Sequence, residues 1–138
     1  MDKALNYLAL ARKAGKAELG EEPAGAAARA LHAHVILVAS DASDHTWRRA
    51  KSYAAGTDQQ CVRVPFTKED MGFAVGRSSL ALAAITDAAL ALALVQALPQ
   101  PEKLASVTEV LEAKVKRLKQ RQSEAKAHRR NVRKGKKK

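Results

Sequence analysis

Ser40, Asp41, Ser43 and His45 sit within six residues of one another, directly after an apolar run. A hydroxyl, an imidazole and a carboxylate are the parts of a nucleophilic site, where the base takes the hydroxyl proton and the acid orients the base. The same residue types cap helix N-termini. Here they lie between a strand-like run and a helix-like one, so capping accounts for each of them and no nucleophile is assigned. His32 and His34 lie two apart and can share one face of an extended segment, but no third ligand stands at metal-site spacing. Cys61 is the only cysteine. It opens an apolar stretch, where cysteine behaves as a small hydrophobe, and a chain with one cysteine has no disulfide framework. Neither a Gly-rich phosphate loop nor a paired-carboxylate pattern appears. The expectation is a protein with no catalytic residue, no metal and no cofactor.

Charge is the stronger signal. The net charge is +11, and its placement is uneven. Residues 1–100 hold 11 Lys/Arg against 10 Asp/Glu, whereas residues 101–138 hold 14 against 4. Lys116, Arg117, Lys119, Arg121, Arg129, Arg130 and Arg133 stand in this last segment as candidate backbone contacts for a polyanion. Nucleic acid is the commonest such partner and an anionic membrane surface is the alternative. The longest apolar stretch, Leu80–Leu98, is broken by Thr86 and Asp87, so no membrane span is expected. The opening MDKALNYLALARKAG is too polar and too periodic for a signal peptide. With a single cysteine, a reducing, cytoplasmic setting fits.

The elements that position these residues follow from period and punctuation. Leu5, Leu8 and Ala9 recur at helical spacing, with Arg12 and Lys13 in the last turn and Gly15 closing the helix. A short extended piece at Ala17–Leu19 leads to Gly20, after which Glu21, Glu22 and Pro23 open a second helix running to about Leu31. The run from His34 to Ala39 is a buried strand. A helix spans about His45 to Ala55, with Trp47 and Ala50 inward. Cys61–Val64 is a second strand, Thr67 caps a short helix, Leu80–Ile85 is a third core strand, and Asp87 caps a helix ending near Leu98. Alternation of this kind predicts a three-layer α/β/α sandwich. Leu98-Pro99-Gln100-Pro101 punctuates the chain, separating a body (1–98) from an arm (99–138). In the arm, Leu104, Leu111 and Leu118 repeat every seven residues, a stripe that either docks on the body or supports self-association. From Lys126 onward the chain is nearly all charge, and disorder in isolation is expected.

Three phrases in order resemble one family: LALARKAGKAELGEE, VILVASDASDHT and TKEDMGFAVGRSSLALAAITD. The chain resembles, over residues 3–97, the kink-turn RNA-binding superfamily of ribosomal-type proteins: the archaeal large-subunit protein seven-Ae, the eukaryotic thirty-e and small-subunit twelve-e proteins, and their small bacterial paralogues. The resemblance implies a four-stranded mixed sheet in an α/β/α sandwich without a catalytic role. It also implies that Gly20, Glu21 and Glu22, with Lys16 just before them, meet the stacked G·A pairs of a kinked duplex. A helix N-terminus suits this, because its N–H groups and dipole favour phosphate and base acceptors, while carboxylates take guanine donors. The family's second RNA-facing element, the loop before the last strand, maps onto Val75, Gly76 and Arg77. There Val75 would pack on an unstacked base and Arg77 would meet phosphate. Two positions depart from the pattern: Pro23 stands where the family has Glu or Gln, and Ala26 where it has Lys. Each departure removes one polar contact.

The resulting expectation is a non-enzymatic RNA-binding protein, ribosome-associated, whose body recognises structured RNA and whose arm adds sequence-independent affinity. The rival is a ribosome-attached protein-interaction module that has lost kink-turn reading.

Overall fold

The computed structural model describes residues 2–99 and 104–136, with side chains described as far as residue 129. Its elements run α1 (Lys3–Lys13), β1 (Ala17–Leu19), α2 (Glu21–Arg29), β2 (Val35–Val38), α3 (Asp44–Ala54), β3 (Gln60–Arg63), α4 (Lys68–Ala74), β4 (Leu82–Ile85), α5 (Ala88–Gln96) and α6 (Ala105–Lys136). The four strands form one mixed sheet in the order β1-β4-β2-β3. β4 pairs antiparallel with both β1 and β2, and β2 pairs parallel with β3.

The two central strands explain the layering. β2 is Val-Ile-Leu-Val and β4 is Leu-Ala-Ala-Ile, and all eight residues are buried. A strand buried on both faces needs a helix layer on each. α2 and α3 pack together, with α2 on β1 and β4 and α3 on β2 and β3, while α1 lies against α4 and α5. α2 approaches closely because the residues it buries are Ala24, Gly25, Ala27 and Ala28. The chain is an α/β sandwich with a four-stranded mixed sheet, as its alternation predicts. Observed boundaries differ from expectation by one or two residues: β2 begins at Val35, β3 at Gln60 and β4 at Leu82.

The loop after β2 holds the hydroxyl and carboxylate cluster, two of whose members hold backbone in place. Ser43 caps α3 by accepting from the Thr46 N–H (3.1 Å), a contact worth about 1 kcal/mol. Asp41 accepts from the Lys68 N–H (2.8 Å), tying this loop to the start of α4, and His45 is exposed.

Three helices end in the same way. At the end of α1, Gly15 and Lys16 donate to Arg12 and Ala11; at α4, Gly76 and Arg77 donate to Phe73 and Gly72; at α2, Leu31 and His32 donate to Ala28 and Ala27. This pattern needs a left-handed residue after the cap, normally glycine. Gly15 and Gly76 supply it (φ +70° and +74°), but α2 holds Leu31 there at φ +61°. A side chain in that region costs roughly 1–2 kcal/mol.

α6 continues past Lys126 to Lys136, consistent with its Ala, Lys, Arg and Gln content. The leucine stripe docks on the body: Leu111 is fully buried, and Leu104 and Val107 pack on the core where α6 lies along α5. Only Leu118 of the three leucines stays largely exposed. Leu111→Ala should therefore destabilise the whole fold by about 2–5 kcal/mol in chemical denaturation while leaving the oligomeric state unchanged. A dimer that dissociates on this change would restore the self-association reading.

Candidate nucleic-acid interface

The expected site residues fall at two ends of the sheet. At the first, the Gly20 N–H donates to the Leu82 carbonyl (2.9 Å), which sets the start of α2 beside the loop entering β4. Gly20 has φ +97° and ψ 169°, a region open to glycine alone. A β-carbon there would meet only Pro23 Cδ at 3.8 Å, so backbone angle rather than space demands glycine. No side chain caps α2, which leaves its first turn presented outward with the positive end of the dipole.

The loop at residues 76–79 is pulled onto α4. The Arg77 N–H donates to the Gly72 carbonyl (2.8 Å) and the Leu80 N–H to the Lys68 carbonyl (2.9 Å). A β-carbon at Gly72 would stand 2.7 Å from the Ser79 nitrogen and 2.9 Å from the Arg77 oxygen. The bare face of Gly72 therefore sets the loop's path. Gly76 and Arg77 are exposed.

The structure brings together only part of the expected set. Glu22 is exposed at the start of α2. Glu21 is already engaged: its carboxylate accepts from the Thr46 hydroxyl (3.1 Å) and from Arg49 (3.3 Å), bridging α2 to α3. Val75 is 2% exposed and belongs to the core, so it cannot pack on a base; as the residue that ends α4 it turns inward. Phe73 on the same helix is 77% exposed. Met71, Gly72 and Val75 face inward, so helical spacing puts Phe73 on the outer side, a signal the sequence reading missed. Lys16 lies at the opposite end of β1 from Gly20, roughly 13 Å away at strand rise, with its carbonyl bonded to the Thr86 N–H (2.8 Å).

That opposite end is where the arm passes. The His34 N–H donates to the Ile85 carbonyl (2.9 Å). Beside it, Lys114 is 7% exposed and pairs with Asp58 (3.3 Å), with Arg117 at 4.0 Å from the same carboxylate. A groove of about 620 Å³ runs from Pro23 over Ala26 and Ala30 to Leu31 and His34. A pocket of about 180 Å³ continues from Leu31 and His34 to Arg117, Leu118 and Arg121. His34 Nδ1 is buried without a hydrogen-bond partner. Burial and the Lys114 charge hold this imidazole below its ordinary pKa of 6.5, so it is neutral near neutral pH. His32 lines the same groove, and among the described residues no group of three His, Cys, Asp or Glu comes together. Lys116, Lys119, Arg121 and Arg129 are exposed along α6, while the side chains of Arg130 and Arg133 lie outside the described residues. No helix among the described residues is long and apolar enough to cross a membrane.

The backbone arrangement has counterparts. A protein with unknown function from Bacillus halodurans superposes with a TM-score of 0.62 at 22% identity, covering 79% of this chain and 99% of that one. The Giardia lamblia 15.5kD RNA binding protein superposes with a TM-score of 0.59 at 18% identity, covering 72% of this chain and 85% of that one. Likeness at this identity establishes a shared fold. No protein-family model and no curated protein matches the chain.

Two expectations follow. Gly72→Ala should displace the loop at 76–79, costing about 1–3 kcal/mol and shifting the Arg77 and Ser79 amide resonances while the sheet's resonances hold. Cys61 has its thiol pushed up to about 11 by burial. It should resist iodoacetamide at pH 8 in the native state and react once the chain is unfolded. Because the unfolded thiol ionises first, stability should fall as pH rises past 9.0 towards about 11.

Proposed function

We propose that this chain binds structured RNA, with ribosomal RNA the first candidate, and performs no reaction on it. The observation that carries this is the charge on α6: Ala105–Lys136 holds 11 Lys/Arg against 3 Asp/Glu in one continuous helix. From Lys116 to Arg129 every residue is exposed. Such a helix can lay cations along a phosphate backbone, and each phosphate neutralised releases counterions. The shared fold with the Giardia RNA binding protein supports the same reading. The near-neutral body then supplies shape recognition through the start of α2 and the loop at 76–79. Glu22 can take a guanine donor, Arg77 can meet phosphate, and exposed Phe73 offers a stacking face close to that loop.

Discrimination for a kinked duplex should be modest. Glu21 is held by Thr46 and Arg49, Val75 is core, and Pro23 and Ala26 carry no polar group. These four positions favour the rival reading, an attachment module, to the extent that kink-turn selectivity is absent.

Titration of the protein against a kink-turn RNA and a straight duplex of equal length separates the readings. The kink-turn should bind more tightly, and Glu22→Ala should erase roughly 1–3 kcal/mol of that preference. Truncation after Arg121, which leaves the Leu111 seat intact, should weaken both RNAs alike and flatten the salt dependence, each lost phosphate contact lowering the slope by about 0.7–0.9. Equal affinity for the two RNAs would leave the attachment module. An unchanged salt slope would remove the arm from binding.

A further inference from the structure

The two RNA-facing regions stand at opposite ends of the sheet, yet the surface between them is concave. The groove from Pro23 past Ala26 and Ala30 is floored by side chains at helical spacing along the exposed flank of α2. It opens into the pocket under α6 through the two residues the cavities share, Leu31 and His34. On the α6 side, Lys114, Arg117, Leu118 and Arg121 are spaced so that they share one helix face, and that face borders the pocket.

We propose that this groove carries a single strand of RNA from the start of α2 to the arm, seating one unstacked base between Leu31 and Leu118. The inference rests on the RNA-binding reading and adds the class of ligand and its path. Three observations converge on it. Leu31 and Leu118 both line the pocket and are 67% and 43% exposed, apolar surface that a base face would cover. His34 lines the pocket and its Nδ1 is buried without a hydrogen-bond partner, a group that a base edge would satisfy if the imidazole turned towards it. Arg117 and Arg121 stand where the flanking phosphates would pass, whereas Glu18 lines the far wall of the wider groove, so the backbone should follow the α6 side. A pocket of about 180 Å³ lies below the roughly 300 Å³ at which drug-sized ligand sites begin, which suits one base rather than a free cofactor. Pro23 and Ala26, which lack the polar groups of the resembled family, are then the residues that keep the path open.

Leu31 makes the test sharp, because glycine is the residue its backbone conformation favours. In the full chain, Leu31→Gly should keep or raise Tm by relieving the left-handed leucine, while removing one wall of the base site. Leu118→Ala removes the other wall. Ala26→Gln narrows the groove without changing charge. Leu10→Ala, exposed on α1 and not lining the groove, is the control. The probes are an oligoadenylate and a blunt straight RNA duplex, titrated at fixed salt. The three groove variants should bind the oligoadenylate about tenfold more weakly, with duplex affinity and Tm held at or above wild type. Unchanged oligoadenylate binding overturns the groove and leaves it to another occupant, such as a peptide. Equal loss on both probes also overturns it, since the effect would then be general. If the wild type binds neither RNA, the RNA-binding reading itself falls and the groove with it.

Discussion

The antiparallel pairing of β2 with β4 is the constraint on which this structure depends. Eight side chains with no polar atom, buried on both faces, cannot tolerate a register slip or an exposed side. They require a helix layer on each face of the sheet. Two rims follow from it. One holds the start of α2 and the loop after α4, joined through the Gly20–Leu82 hydrogen bond. The other holds His34, Lys16 and the helix that carries the charge.

The arm is part of the body before it is a tail. Leu111 seats α6 against α5, and Lys114, nearly buried, is neutralised by Asp58. A buried lysine without that carboxylate would be costly, so the loop before β3 and the arm are coupled. Beyond Arg121 the helix loses its apolar partner and keeps its charges. The separation of the two rims means that a ligand engaging both would cross the flank of α2, which is where the concave surface lies.

Much of the fold was legible because its signals are local. Four continuous apolar residues announce β2, Ser43, Thr67 and Asp87 announce helix starts, and Gly15 announces an end. The end of α2 was read too late because leucine, not glycine, closes it. The reach of Lys16 was misjudged because three residues of strand, short in sequence, separate it from Gly20 by the length of the sheet. Val75 points inward because it ends α4, whereas Phe73, two residues earlier, lies on the helix's outer face. Nothing in a heptad of leucines distinguishes docking on α5 from pairing with another copy, since the same stripe serves both. The groove was invisible to sequence because its walls come from α2, the turn after it, and α6, elements far apart along the chain.

The tight turn at Gly72 also has a thermodynamic consequence. With Arg77 and Leu80 both hydrogen-bonded back to α4, and no room for a β-carbon between them, the loop at 76–79 has little conformational freedom to lose. A ligand meeting it gains contact with almost no ordering entropy to offset. The outer half of α6 is the opposite case. It is a helix held only by its own hydrogen bonds, marginal at that length in water, so part of what a bound polyanion would contribute there would go into keeping the helix formed. The two rims should therefore differ in calorimetric signature: the loop's contribution nearly free of an entropic penalty, the arm's weighted by one.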